Sequence, residues 1–67
     1  MLNELSKNTG KYVVLILDNM IKRRGHISKV NSECVIINDV VDKKEHIVNI
    51  KSVVDVEVED GTTKGST

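Results

Sequence analysis

The order of apolar and polar positions at the start of the chain predicts a short helix followed by a strand. Leu2 and Leu5 lie three residues apart in a polar segment, which indicates about two turns of helix over residues 2–8. Gly10 then suits the left-handed conformation in which many helices end. Residues 12–17 form a continuous apolar run, which is typical of a strand buried on both faces.

The rest of the pattern predicts four further strands. Residues 21–31 alternate irregularly around Gly25, and a glycine inside a strand usually marks a bend or a close backbone contact. We expect Asn38 and Asp39 to open a loop. The last three strands are expected at residues 34–37, 43–48 and 53–59, with a short break at 49–52.

A helix and five short strands, the second of them bent, form the layout of an all-β, SH3-like barrel. We therefore expect one domain over residues 1–59, with the barrel over residues 12–59. The remaining residues, 60–67, are polar and small, and we expect a disordered tail there.

Composition supports a small all-β domain that associates with itself. Valine and isoleucine supply 18 of the 67 residues, and such β-branched side chains fit a pleated sheet. One cysteine excludes an intrachain disulfide, so self-association is the expected source of extra stability. No apolar run reaches the roughly 20 residues of a membrane helix. Without a signal-peptide pattern, and with a lone cysteine, we expect a cytoplasmic protein with no membrane partner.

The charges are unevenly distributed although the chain is neutral overall. Residues 1–31 carry a net charge of +4 and residues 32–67 carry −4. The only dense basic cluster is Lys22-Arg23-Arg24, and in a strand Lys22 and Arg24 would share one face. Such a face suits phosphate groups. The alternative is a solvated strand face that discourages aggregation.

The sequence offers no catalytic constellation, and we expect neither enzyme activity nor a cofactor. No nucleophile has a recognisable base, and no phosphate-binding loop is present. Cys34 and the two histidines lack the spacing of a metal site, so we expect structural roles for Cys34, His26 and His46. Tyr12 is expected to pack in the core or an interface, with base stacking as the alternative. The acidic groups are expected in solvated loops and strand edges, with weak cation binding as the alternative: Asp39 and Asp42, and Glu57, Glu59 and Asp60.

The order of these features resembles the Sm-like family, and within it the bacterial Hfq branch. Residues 2–5 are similar to the Leu-Asn-x-Leu of the Hfq helix, and residues 17–27 to the family's Asn-Gly-Ile-Lys-Leu-Gln-Gly-x-Ile segment. Residues 47–53 stand where Hfq has Val-Tyr-Lys-His-Ala-Ile. The resemblance, which covers residues 2–58, implies a homo-oligomeric ring of six subunits. It also implies binding of single-stranded RNA, in post-transcriptional regulation or as an RNA chaperone.

Several positions depart from the family's pattern. Met20 replaces a turn glycine, and Glu33 replaces the aromatic residue on which Hfq stacks uridine around its pore. Ile16 stands where another aromatic residue would be, and Arg24 where a base-reading glutamine would be. Because a carboxylate repels phosphate and has no stacking face, we expect oligo-uridine to bind poorly. Because Arg24 can hydrogen-bond or stack on a purine, we expect purine-rich RNA to bind better than oligo-uridine.

The resemblance also implies three groups of RNA-binding residues. Ile21 and Lys22 stand as the family has them, next to Arg24. Two helix residues resemble polar and basic rim positions, and Lys51 falls where the family places its pore-side histidine. The alternative for Asn3 and Lys7 is an ordinary helix surface, and the alternative for Lys51 is a solvated turn lysine. For the whole chain, the rival function is a structural or protein-interaction ring. The expected RNA-binding residues are Ile21, Lys22, Arg24, Asn3, Lys7 and Lys51.

Overall fold

An antiparallel sheet of five strands follows a short helix in the computed structural model, which describes residues 1–59. The expected tail over residues 60–67 lies outside the described residues. The predicted helix and five strands are confirmed, most boundaries within one or two residues. The elements are α1 (Leu2–Lys7), β1 (Tyr12–Leu17), β2 (Lys22–Val30), β3 (Cys34–Asp39), β4 (Glu45–Asn49), a 3-10 turn (Ile50–Ser52) and β5 (Val53–Val58).

The strand order is β4-β3-β2-β1-β5, so β4 and β5 are the two edges of the sheet. The long strand β2 pairs with β1 through its first half and with β3 through its second half. The register shifts between Ile27 and Lys29 in β2, and between Ile16 and Leu17 in β1. Such irregularities bend a strand and increase its twist, so the sheet curls around its own core.

The core lies on the inner face of the curled sheet. Leu5 is fully buried and is the contribution of α1 to this core. The opposite face of β1 is covered as well, since Val14 is only 3% exposed. Tyr12 and Ile16 on the same face are half-buried, so the prediction that β1 is buried on both faces is confirmed at the centre of the strand. The buried apolar residues that form one cluster are Leu5, Val13, Leu15, Leu17, Ile27, Val35, Ile37, Val48 and Val53.

Gly25 permits a close approach of β3 to β2. A Cβ at this position would lie 2.0 Å from the carbonyl oxygen of Asn38. The φ of Gly25 lies outside the left-handed region, so the need for glycine is steric. The bend itself follows at the register shift after Ile27. Gly10, by contrast, has a φ of 86° and takes the predicted left-handed conformation after α1.

The expectation that a loop opens at Asn38 was wrong. Both Asn38 and Asp39 belong to β3, where Asp39 pairs with Gly25 and is only 5% exposed. The turn begins after Asp39 because the carboxylate of Asp39 accepts hydrogen bonds from the backbone N–H groups of Val41 and Asp42. The following strand starts at Glu45.

The burial of β5 does not follow the valine alternation in its sequence. Val53 is buried, whereas Val54 is 61% and Val58 is 42% exposed. The cause is the register shift in β1: Leu17 pairs with Val53 and Ile16 pairs with Asp55, so Val54 has no partner across the ladder. No helix among the described residues is long and apolar enough to cross a membrane.

Candidate nucleic-acid interface

The basic cluster of β2 divides between the two faces of the strand, as its alternation predicts. Lys22 and Arg24 are exposed and share one face with the exposed His26. Three residues of β1 lie directly opposite them in the antiparallel register. We call this surface the basic face. Its accessible side chains are Ile16 and Tyr12 on β1 and Lys22, Arg24 and His26 on β2, and Val14, between Ile16 and Tyr12 on the same side of β1, is buried.

Arg23 points the other way and is held by acidic side chains. Its Nη1 lies 3.3 Å from Oδ2 of Asp39 and 3.9 Å from Oδ2 of Asp42. The Asp39 side chain is only 4% exposed, so the expectation of a solvated loop carboxylate was wrong for this residue. A buried carboxylate requires a partner, and Arg23 supplies it. Arg23 is therefore structural, which leaves Lys22 and Arg24 as the accessible cations of this cluster.

His46 completes what we call the Arg23 cluster: Arg23, Asp39, Asp42 and His46. Nε2 of His46 lies 2.6 Å from Oδ2 of Asp42 and 3.3 Å from Nη1 of Arg23. Because arginine only donates, and one ring nitrogen does not both donate and accept, the shorter distance assigns the Nε2–H to Asp42. This hydrogen bond holds the pKa of the Asp42 carboxyl below its usual range, and the nearby Arg23 charge acts in the same direction.

The ligand atoms of Asp39, Asp42 and His46 lie within 4.8 Å of one another, a spacing that a metal ion would also require. The guanidinium of Arg23 already lies among them, 3.3 Å from the Asp39 carboxylate and 3.9 Å from that of Asp42, and offsets part of their negative charge. The arrangement therefore fits a fixed ion-pair network better than a cation site.

Two acidic residues border the basic face on the β5 side. Asp55 pairs with Ile16, and Glu57 pairs with Val14. Each acid thus lies two strands, or about 10 Å, from the lysine or arginine in its row. An anionic ligand would be repelled from the β5 side and attracted toward β2.

The other expected RNA-binding residues lie on separate elements. Asn3 and Lys7 are exposed on α1, and Nζ of Lys7 lies 3.5 Å from Oε1 of Glu4. Lys51 lies in the 3-10 turn and lines a pocket of about 320 Å³ together with Glu33. The backbone N–H of Ile50 donates to the Glu33 carbonyl oxygen at 2.9 Å, which fixes Glu33 beside this turn.

Of the six expected residues, only Ile21, Lys22 and Arg24 are thus close along one strand. Ile21 immediately precedes β2 and is 47% exposed. Its backbone N–H donates to Oδ1 of Asn19 at 3.1 Å, which fixes the turn before the strand.

Comparison with known proteins identifies the fold. No protein-family model matches this sequence, and no curated protein matches it either. The structure of the pleiotropic translational regulator Hfq is similar with a TM-score of 0.74 and 17% identity, over 84% of this chain and 93% of that chain. A chain in a structure of the Dcp1:Dcp2 mRNA decapping complex, on its activation by Edc3 and Scd6, is similar with a TM-score of 0.69. It is 19% identical, over 94% of this chain and 71% of that chain. The chain has an Sm-like fold of the Hfq type.

Proposed function

Starting from an Sm-like fold of the Hfq type, we propose that this chain assembles into a homo-oligomeric ring that binds single-stranded RNA on the basic face. The proposal rests on one observation: Lys22 and Arg24 are exposed side by side on β2, while Arg23 between them is held by Asp39. Similarity to a translational regulator and to a chain of an mRNA decapping complex supports a role on RNA.

The mechanism would be binding without chemistry. Backbone phosphates would contact Lys22 and Arg24, and bases would lie against the apolar side chains of Ile16 and Ile21. Arg24 would hydrogen-bond or stack on a purine, so purine-rich RNA should bind better than oligo-uridine.

The free strand edges support assembly into a ring. β4 and β5 each have one strand partner within the described residues, and the exposed apolar side chains include Ile47 on β4 and Val54 on β5. Ile47 is 71% and Val54 61% exposed. Pairing β4 of one subunit with β5 of the next would satisfy both backbone edges and cover these side chains. Such a head-to-tail contact closes into a ring, and we propose six subunits.

Light scattering of the purified protein tests the assembly. We expect the mass of a ring for the wild type and a smaller mass for Val54→Lys, which places a charge on the β5 edge. Val41→Lys is the matched control, because Val41 is 72% exposed and lies in the β3–β4 turn, outside both edge strands. A wild-type monomer at micromolar concentration would refute the ring.

Fluorescence anisotropy with labelled oligonucleotides tests RNA binding. The double variant Lys22→Ala with Arg24→Ala should bind purine-rich RNA more than tenfold more weakly and keep the ring mass, since both side chains are exposed. Lys29→Ala, an exposed lysine beyond the register shift of β2, is the control. Affinity should also fall steeply with salt, because each phosphate contact releases counterions. Absence of wild-type binding at low salt would refute the proposal, and a double variant that binds normally would show that RNA lies elsewhere.

The rival function is a structural or protein-interaction ring without RNA. Asp55 and Glu57 beside the basic face favour it, as do Ile16 and Glu33 at the expected aromatic positions. The absorbance spectrum of the purified protein separates the two functions. With Tyr12 as the only aromatic residue, co-purifying nucleic acid would dominate absorbance at 260 nm.

A further inference from the structure

A pocket of about 360 Å³ lies next to the basic face, where the turn between β3 and β4 meets β2. Its volume falls within the range of small-ligand sites, roughly 300–1,000 Å³. It is lined by His26, Asn38, Asp39, Val40, Lys43 and Lys44. None of these residues was among those expected to bind RNA from the sequence.

The charge of this pocket favours an anion. Lys43 and Lys44 are both exposed, and neither amine has an acidic partner within 4 Å among the described residues. The one acidic residue of the wall, Asp39, is neutralised by Arg23 at 3.3 Å. Its Oδ1 also accepts the Val41 N–H at 2.7 Å. The wall therefore presents net positive charge.

The two lysines are held on a defined turn. The backbone N–H of Lys44 donates to Oδ1 of Asp42 at 2.9 Å, and the N–H of Asp39 donates to the Lys44 carbonyl oxygen at 2.9 Å. Lys43, which lies between Asp42 and Lys44, has a φ of 62°, a left-handed conformation that suits a tight turn. The lysines thus have a fixed backbone position relative to β2 and β3.

His26 belongs both to this pocket and to the basic face. It follows Lys22 and Arg24 on the same face of β2, and its ring lies edge to face with Tyr12, with centroids 5.5 Å apart and planes at 80°. Tyr12 thereby orients an exposed aromatic ring in the wall of the pocket. Asn38, the register partner of His26, adds an amide with both donor and acceptor atoms.

We infer that this pocket is a nucleotide subsite that extends the RNA path from Arg24 past His26 to the β3–β4 turn. The base stacks on the His26 ring, its edge meets the Asn38 amide, and its phosphate contacts Lys43 and Lys44. Aromatic rings and histidine are common stacking partners of unpaired bases, and lysines neutralise the backbone. The inference rests on the proposed function and supplies the stacking ring that Ile16 does not.

Salt dependence of RNA affinity tests the phosphate contacts. Each neutralised phosphate contributes a slope of about −0.7 in log affinity against log salt for a single strand. Lys43→Gln with Lys44→Gln removes the contacts to one phosphate and should make the slope shallower by about 0.7. The matched control is Lys11→Gln with Lys29→Gln, which removes the same charge from two exposed lysines outside the pocket. The control pair should change the slope by much less.

Fluorescence quenching tests the stacking. An oligonucleotide carrying 2-aminopurine should be quenched on the wild type and on the control pair, and far less on His26→Ala. The same variant should bind about fivefold or more weakly, the loss expected for one stacked base. The melting temperature of each variant checks that the fold is intact, since His26 is exposed.

The outcomes separate this inference from the proposed function. If RNA binding depends on Lys22 and Arg24 but both pocket variants bind with wild-type affinity, slope and quenching, the subsite is refuted and the RNA-binding ring stands. If the wild type binds no RNA at low salt, both are refuted. A shallower salt dependence for Lys43→Gln with Lys44→Gln, together with reduced 2-aminopurine quenching for His26→Ala, would support the subsite.

Discussion

An alanine at position 25 would place its methyl carbon 2.0 Å from the Asn38 carbonyl oxygen and 2.7 Å from the Asn38 carbonyl carbon. Carbon-to-oxygen contacts between neighbouring strands are normally about 3.3–3.6 Å. β2 and β3 would therefore have to separate by more than about 1 Å at this point. Since the atoms in contact are backbone atoms, no side-chain rotation would relieve the overlap.

The separation would fall on the hydrogen bonds that join the two strands. Gly25 pairs with Asp39, and the N–H of Val40 donates to the Arg24 carbonyl oxygen at 2.9 Å. Each bond broken with its groups left unsatisfied costs about 1–3 kcal/mol, so one or two of them cost about 1–6 kcal/mol. A domain of this length has a free energy of unfolding of about 3–10 kcal/mol. Gly25→Ala should thus remove a large part of the stability.

Urea unfolding at one fixed protomer concentration measures this loss, because an oligomer's stability depends on concentration. Gly10→Ala is the control: a Cβ there meets nothing within 4 Å, and the cost is that of the left-handed φ alone. That cost is about 1–2 kcal/mol. Hydrogen exchange of the Val40 amide should accelerate selectively in Gly25→Ala. A Gly25→Ala protein within about 0.5 kcal/mol of the wild type would refute the steric explanation.

Three further changes test the core and the Arg23 cluster. Leu5→Ala should lower the free energy of unfolding by about 2–4 kcal/mol, because Leu5 is fully buried; an unchanged urea midpoint would show that α1 is dispensable. Arg23→Met should cost about 1–3 kcal/mol by leaving the buried Asp39 carboxylate without its cation, and Asp39→Asn in the same background should recover part of it. Asp42→Asn should lower the melting temperature near neutral pH and progressively less as pH falls below the ordinary carboxyl pKa of 3.8. The hydrogen bond from His46 depresses the pKa of Asp42 in the folded state, so its contribution is present above the unfolded pKa and lost as the carboxyl is protonated. A difference that stayed constant into strong acid would contradict this.

The elements of this fold could be predicted because each follows a local pattern. The apolar run of β1 and the glycine of β2 carry their structural meaning within a few residues. The burial of β5 could not be predicted in the same way. Val54 continues a regular alternation with Val56 and Val58, but the shift at Ile16 and Leu17 leaves it without a partner and 61% exposed. A shift of register depends on the partner strand and leaves little trace in the sequence of either strand.

In the candidate site, too, local patterns could be predicted, whereas contacts that depend on strand pairing were missed. The alternation of β2 sufficed to place Lys22 and Arg24 together and Arg23 apart. The partner of Arg23 was missed because Asp39 lies 16 residues away and reads locally as a turn residue. The pocket at Lys43 and Lys44 was missed as well, since only the pairing of β2 with β3 brings that turn next to His26.

The strand order has a consequence for the way the chain folds. The ladders among β1, β2, β3 and β4 join consecutive strands, whereas the ladder between β1 and β5 joins Val13 to Val58 near opposite ends of the described chain. Closing so long a loop carries a larger entropic cost and is slow. The first four strands are therefore expected to form an early meander that β5 completes last. Until β5 docks, the edge of β1, the most apolar strand, stays open to other chains. Misassembly through the open edge of β1 is therefore confined to the stage before β5 docks, whereas the proposed contact between β4 and β5 of neighbouring subunits requires a docked β5.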